Sequence, residues 1–318
     1  MKRQDAIFYP NTRNTLPTRI REYHSHHLDS TFWDNFEPRD DDIFVCTYFK
    51  SGTTWMQQIV AMLIFQGENL PIPLSEMSIW VDNSLPKKEK ILLLQEQNHR
   101  RIIKSHLPID AILFYPQCKY IYVGRDGRDI FISLFNHYKN ASDLYFEAAN
   151  NTLRLIGDPL PECPDDPLEF WKNWISKGWF EWEKDGYPFW SLFYNVQSWW
   201  NYRHLPNILF VHFANLKKDL AGEIRRIATF LDIEIDPNKF NSIIEKCTFE
   251  YMKKNPDSIL APFKGAAWKG GASTFINKGT NGRWKDVLTA KDIEQYQTVV
   301  AERLTPECAY WLETGELP

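Results

Sequence analysis

Five consecutive residues, Lys50, Ser51, Gly52, Thr53 and Thr54, stand between an extended apolar run at 43–46 and an apolar segment at 56–65. A strand, a tight turn and a helix start would present here a full positive charge, three hydroxyl donors and the free N–H groups of a helix N-terminus. Gly52 would let the backbone come close to a ligand. Together these groups suit a phosphate or sulfate-like anion. The order differs from the nucleotide-triphosphate pattern G-x-x-x-x-G-K-[ST], because Lys50 precedes the single glycine. By itself the stretch reads equally well as a Ser/Thr-rich cap on an ordinary helix.

Other residues with the same kind of chemistry recur at the ends of apolar runs. Ile102 and Ile103 are followed by Lys104, Ser105, His106, Leu107 and Pro108. The run 119–123 is followed by Gly124, Arg125 and Asp126. Asp126 suits the N-cap of a helix whose apolar positions Ile130, Phe131, Leu134, Phe135 and Tyr138 keep helical spacing, with Ser133 two turns in. Ligands of open parallel sheets bind outside the carboxyl ends of the strands, so Lys50, Lys104, His106 and Arg125 would share one side of such a sheet. For Arg125 an ion pair with Asp126 or Asp129 is the competing use. A Gly- and Lys-rich stretch at 263–284 reads as a mobile basic loop suited to phosphate contacts.

The elements that must carry these residues read as one α/β domain over 1–318, with a central, mainly parallel sheet flanked by helices. Its 318 residues, 43% hydrophobic and 15% aromatic, supply a sizeable core. A net charge of −4 argues against general nucleic-acid binding. The five cysteines are widely spaced and form no C-x-x-C pair, which fits free thiols and a cytoplasmic protein. The N-terminus lacks the apolar run of a signal peptide, and no stretch has the length of a membrane span.

Several segments carry more specific expectations. The run Tyr23-His24-Ser25-His26-His27 reads as solvated and not as a metal site, since no partner group has ligand spacing. Asp40 to Asp42 reads as a solvated turn. The proline-bearing stretch 139–170 reads as a long surface excursion. Seven tryptophans at 171–200 read chiefly as helix faces packed on the core, with a second reading as the wall of an apolar pocket. The run 207–213 reads as a central strand. Helices are expected near 87–98, 217–232, 237–247 and 290–304.

Three of these motifs in order resemble the cytosolic sulfotransferase family. Thr47 to Trp55 resembles T-Y-P-K-S-G-T-T-W, with Phe49 for Pro. Lys104 to Pro108 resembles K-T-H-L-P, with Ser105 for Thr. Arg125 and Ser133 have the family's eight-residue spacing. The resemblance runs from about residue 30 to 290. It implies a P-loop-like loop, Lys50 to Trp55, binding the 5′-phosphosulfate of 3′-phosphoadenosine 5′-phosphosulfate (PAPS). It places Trp55 near the adenine, Phe249 stacked on it, and Arg125, Ser133, Lys278 and Gly279 at the 3′-phosphate. The sequence departs from the family where Asn277 replaces the Arg of R-K-G, where Phe213 replaces a Tyr, and where Cys247 replaces a Thr. Lys285, Thr289 and Glu294, with Ala290 for Val, resemble a dimer motif and leave a homodimer open.

Sulfuryl transfer is an in-line displacement that needs a base on the acceptor and cations on the leaving side, as phosphoryl transfer does. The resemblance makes His106 the base, Lys50 the partner of the leaving oxygen and Lys104 that of the sulfuryl oxygens, with Ser133 restraining Lys50. No metal is required. The aromatic content favours a small apolar or aromatic acceptor bearing a hydroxyl or amine. Two other readings stay open: a small-molecule kinase, which would want a Lys after the glycine and a carboxylate for a metal, and a non-catalytic binder on the same fold.

Overall fold

Alternate residues of a strand face opposite sides of a sheet, and here both sides are apolar. In the strand Ile43–Thr47 (β1), Phe44 and Cys46 join an aromatic layer with Tyr120 and Tyr122. Ile43 and Val45 join an aliphatic layer on the other face with Ile59, Val60, Ile121 and Val123. A strand buried on both faces must be covered by helices on each, and the computed structural model, which describes residues 15–83, 87–150 and 158–317, has this arrangement.

The sheet holds Ser78–Trp80 (β2), Ile102–Ser105 (β3), Lys119–Gly124 (β4) and Ile208–His212 (β5) beside β1, in the order β2-β3-β1-β4-β5. All four pairings are parallel, with Cys46 opposite Ser105 on one side and Tyr122 on the other. Every strand therefore ends at the same edge of the sheet. The helices Thr53–Ile64 and Gly127–Lys139 start directly after β1 and β4. Asp126 caps the second by accepting from the Arg128 N–H, as its position after a strand suggests.

Several expectations are corrected. β5 is an edge strand and not a central one. Its apolar run has another cause: Phe210 packs against Trp200 and Trp311, at ring-centroid distances of 5.5 and 5.1 Å. Trp311 belongs to a C-terminal helix, Pro306–Thr314, that the sequence reading missed. Asp42 is no solvated turn residue; it is fully buried and accepts from Arg101 Nε and NH2 at 2.7 and 2.5 Å. The excursion at 139–170 contains the helix Asp143–Asn150 and the start of Pro167–Ser176. The loop at 263–284 contains short helices at Pro262–Gly265 and Ala272–Phe275. Thr289, part of the dimer-like motif, forms a capping box with Asp292 on the helix Ala290–Arg303.

The tryptophans divide as well. Trp171, Trp174, Trp190, Trp199 and Trp200 are buried in the aromatic layer, whereas Trp182 is exposed. The core-packing reading holds for these five.

Candidate active site

The strand ends converge on a cavity of about 1360 Å³. The loop after β1 and the start of the helix Thr53–Ile64 contribute Phe49, Lys50, Gly52, Thr53, Thr54 and Trp55 to its wall. β3 contributes Lys104, with His106 just beyond it, and the turn after β4 and its helix contribute Arg125 and Ser133. From the late segments come Phe249 and Gly279. Ser51 is buried and lies outside the lining; Lys278 is exposed and lies outside it too.

The helix Thr53–Ile64 begins without a side-chain cap. Gly52 at its N-cap takes φ 111°, a left-handed value natural to glycine, and Lys50 takes φ 63°. The first N–H groups of a 12-residue helix thus face the cavity with the Thr53 and Thr54 hydroxyls beside them. No side chain caps the helix end, an arrangement that favours the anion cradle over the plain cap.

Cations surround that end. Burial, then Lys104, then Arg125 push the Lys50 ammonium down to about 7. Burial and then Lys264 push Lys104 down to about 7, against the opposing pull of Asp82. Lys104 also lies over the Trp80 ring at 4.7 Å. An anion bound among them would restore their charged forms, because unlike charge nearby favours ionisation.

Arg125 does not pair with Asp126 or Asp129 by hydrogen bonds. Asp126 is taken by Arg128, at 3.0 and 2.6 Å, and Asp129 accepts from the Gly282 N–H at 2.7 Å. Arg125 instead donates to the carbonyls of Lys50 (3.2 Å) and Thr280 (2.9 Å) and to Asn281 Oδ1 (3.1 Å). Its guanidinium lies over Phe213 at 4.2 Å, and burial lowers it to about 10. Phe213 thus has a clear role as a platform: it supports Arg125, touches Trp55 at 5.2 Å and stands where a Cβ on Gly52 would come to 2.9 Å.

The aromatic residues assigned to the adenine also meet in pairs. The Trp55 indole donates to the Cys247 carbonyl at 2.7 Å, so Cys247 serves through its main chain while its thiol is buried. Gly279 has φ 61° and lies against Phe249, where a Cβ would come within 2.6 Å of the ring. Lys217 donates to the Gly279 carbonyl at 2.8 Å and fixes that turn.

His106 is held by its Nδ1, which donates to the Thr47 carbonyl at 2.8 Å. Its own carbonyl accepts from Asn195 at 2.9 Å, and its N–H faces Asp82 at 3.4 Å. With Nδ1 protonated, Nε2 carries the lone pair and has no hydrogen-bond partner among the described residues. Burial, then Lys104, hold the imidazole well below its usual value, so it is neutral near pH 7. Phe49 packs edge-on against it at 4.6 Å, with Trp80 at 4.9 Å and Trp190 at 5.9 Å. That is what Phe49 does in place of the family's proline: with Trp80 and Trp190 it packs an aromatic cage around His106.

The run at 23–27 corrects the sequence reading further. Tyr23, Ser25, His26 and His27 are buried, and His26 and His27 line the cavity. Their Nδ1 atoms share a hydrogen bond, and His27 Nε2 bonds the Tyr145 hydroxyl at 2.6 Å. Among the described residues no group of three or more His, Cys, Asp or Glu is placed to hold a metal. Sequence reasoning also missed Trp80, His137, Tyr145, Trp268 and Phe275 in the wall. Only the H-S-H-H run was a usable signal, and it was read the other way.

The family model for the sulfotransferase domain matches residues 40–306. The chain is 28% identical over 321 residues to a glycolipid sulfotransferase of Mycobacterium bovis, covering 96% of this chain and 97% of that one. It is 29% identical to sulfotransferase 1B1 of Mus musculus, covering 86% and 85%. The crystal structure of mouse sulfotransferase SULT7A1 complexed with PAP superposes with a TM-score of 0.64 at 23% identity, covering 88% of this chain and 91% of that one. With a family match across most of its length and the strand-end site on the same fold, the chain belongs to the sulfotransferase family.

Proposed function

We propose that this sulfotransferase takes its sulfuryl group from PAPS and passes it to a hydroxyl on an apolar acceptor, with His106 as the base. The observation that carries the reading is the His106–Thr47 hydrogen bond, which leaves a neutral Nε2 turned to a cavity flanked by Lys50 and Lys104. The residues present fit the donor. An uncapped helix end, two hydroxyls and two lysines suit its phosphosulfate. Arg125 and Ser133 suit a second phosphate, and Phe249 with Trp55 suits a purine. The neighbour SULT7A1 was solved with PAP, the desulfated form of that donor.

PAPS supplies an activated sulfuryl group whose leaving group is already a stable phosphate. The chain's own residues do the rest. Nε2 of His106 takes the acceptor's proton as the oxygen attacks. Lys50 and Lys104 meet the charge that develops on the leaving and peripheral oxygens. The acceptor end is walled by Phe49, Trp80, Tyr145, Trp268 and Phe275. The cavity mouth carries exposed Ile72, Leu93 and Leu144. An acceptor with an apolar body longer than one ring fits this wall, and a glycolipid, as in the mycobacterial relative's name, has such a body.

The test is transfer from labelled PAPS, without magnesium, to 2-naphthol and to a simple glycolipid. Transfer to either that is lost in His106→Ala supports the reading. Labelled donor that neither binds nor reacts would refute it.

A further inference from the structure

The Lys50 ammonium has a hydrogen-bond partner that the sequence motifs do not mention. It is His137 Nδ1, at 3.2 Å. His137 lies one helical turn after Ser133 on Gly127–Lys139, so the two side chains leave the same face of the helix. Ser133 lines the cavity, but among the described residues it forms no hydrogen bond with Lys50. The restraint assigned to Ser133 by resemblance therefore has a different occupant here.

His137 is itself closely packed. Its ring lies 5.0 Å from Trp268, 5.8 Å from Phe275, 6.2 Å from Tyr145 and 6.4 Å from Phe49. Phe275 also lies under the Lys50 ammonium at 5.0 Å. Lysine and histidine thus bond each other and share the same aromatic ring. The titratable groups around His137 are Lys50 from the loop after β1, Lys104 on β3 and His106 just beyond it, His27 from the N-terminal segment and Tyr145 from Asp143–Asn150. None is a carboxylate that would favour an imidazolium. Burial first, then Lys50, hold His137 well below its usual value. A neutral imidazole that accepts at Nδ1 must carry its proton on Nε2.

We propose that His137 is a positioning residue for Lys50: its Nδ1 accepts the Lys50 ammonium in the resting site and yields it to the donor's bridging oxygen when the donor is bound. The inference rests on the proposed role of Lys50 at the leaving oxygen. No bond is made or broken in this step; the ammonium exchanges one acceptor for another. An ammonium held in place loses little freedom on reaching the leaving oxygen, which is how a positioned cation contributes to rate. Without the acceptor, the buried ammonium has no partner and its charged form is disfavoured.

Two variants separate this role from packing. His137→Phe keeps a ring and removes the acceptor; His137→Asn keeps an amide oxygen near the Nδ1 position. With labelled PAPS and 2-naphthol, His137→Phe is expected to lower kcat by roughly 10- to 100-fold, while at pH 6 PAP binds with a Kd within a factor of a few of wild type. It is also expected to move the alkaline limb of the kcat/KM profile to lower pH by roughly one unit. His137→Asn is expected to recover most of both. A His137→Phe protein with the wild-type limb, or a His137→Asn protein as impaired as His137→Phe, would overturn the proposal.

A readout independent of turnover is the 15N spectrum of the His137 imidazole, identified by its loss in His137→Phe. The resting protein is expected to show an unprotonated, hydrogen-bonded Nδ1 that shifts toward the free position on adding PAP and in Lys50→Met. A protonated Nδ1, or one indifferent to Lys50→Met, would refute the pairing even in an active enzyme. A wild type inactive on 2-naphthol would count against the acceptor reading, and the spectrum would still decide the pairing.

Discussion

The Nδ1 of His106 donates to the main-chain carbonyl of Thr47 across 2.8 Å, so the strand that leads into the anion loop also fixes the tautomer of the candidate base. β1 and β3 are hydrogen-bonded neighbours with Cys46 opposite Ser105, which puts the residues just beyond each strand side by side. Candidate base and candidate cradle are thus set by one strand pairing. His106→Ala is expected to lower turnover by about 100-fold or more and to leave PAP affinity within a factor of a few, by calorimetry. Turnover near the wild-type rate would remove His106 from the base role.

Arg125 spends its hydrogen bonds on two carbonyls and an amide, none of them ionised. Its charge is therefore available to a phosphate. Arg125→Ala should weaken PAP by roughly 10- to 100-fold and adenosine 5′-monophosphate, which lacks the 3′-phosphate, far less. Equal losses for the two nucleotides in a titration would contradict the assignment.

Lys50 and Lys104 sit near 7 in the folded protein against 10.5 for free lysine. At pH 8 both are largely neutral in the empty site, so binding a polyanion must draw protons from solution. At pH 6 they are already charged and uptake should be small. Calorimetry of PAP binding in buffers of different ionisation enthalpy measures this directly, and equal proton uptake at the two pH values would count against it. The same shifts fix a sign for stability. The unfolded chain binds more protons between pH 7 and 10.5, so these two groups make stability rise with pH in that window. Below pH 7 their burial penalty is present in full.

Gly279 has φ 61°, and a Cβ there would meet Phe249 at 2.6 Å. Gly279→Ala should displace the ring and weaken PAP by roughly tenfold or more, with little effect on kcat at saturating donor. An unchanged Kd would show that Phe249 does not face the nucleotide.

The buried pair of Arg101 and Asp42 stands at the opposite ends of β3 and β1 from the site. Arg101→Ala leaves a buried carboxylate without its partner and should cost about 3–5 kcal/mol of stability, read from denaturant midpoints. A loss under about 1 kcal/mol would mean that water reaches Asp42.

What the sequence made legible was local in origin. Lys50, Lys104 and Arg125 could be placed because each follows an apolar run, and parallel strands end on one side. Asp126 could be read as a cap because capping depends on its immediate neighbours. His27, Tyr145, Trp80 and Trp268 could not be brought together, since segments far apart in the chain supply them and nothing in spacing links them. The H-S-H-H run is polar and reads as solvated, yet hydrogen bonds to Tyr145 and the Pro188 carbonyl let His26 and His27 be buried. Asp42 misled for the same reason, its partner being 59 residues away. Thr305, Pro306 and Gly315 were readable signals of the final helix, as cap, first residue and left-handed stop, and they went unread.

Phe49 is 7% exposed and lies 4.6 Å from His106, 4.4 Å from Trp190 and 5.6 Å from Phe189. It is at once part of the cavity wall and the packing partner of His106. An acceptor too broad for the cavity would press on this ring, which has His106, Trp190 and Phe189 packed against it. If His106 is the base, selection by size at this point is expressed as lost alignment of the imidazole, and poor acceptors are expected to bind yet turn over slowly. Residue 49 works as a gauge whose reading is taken at residue 106.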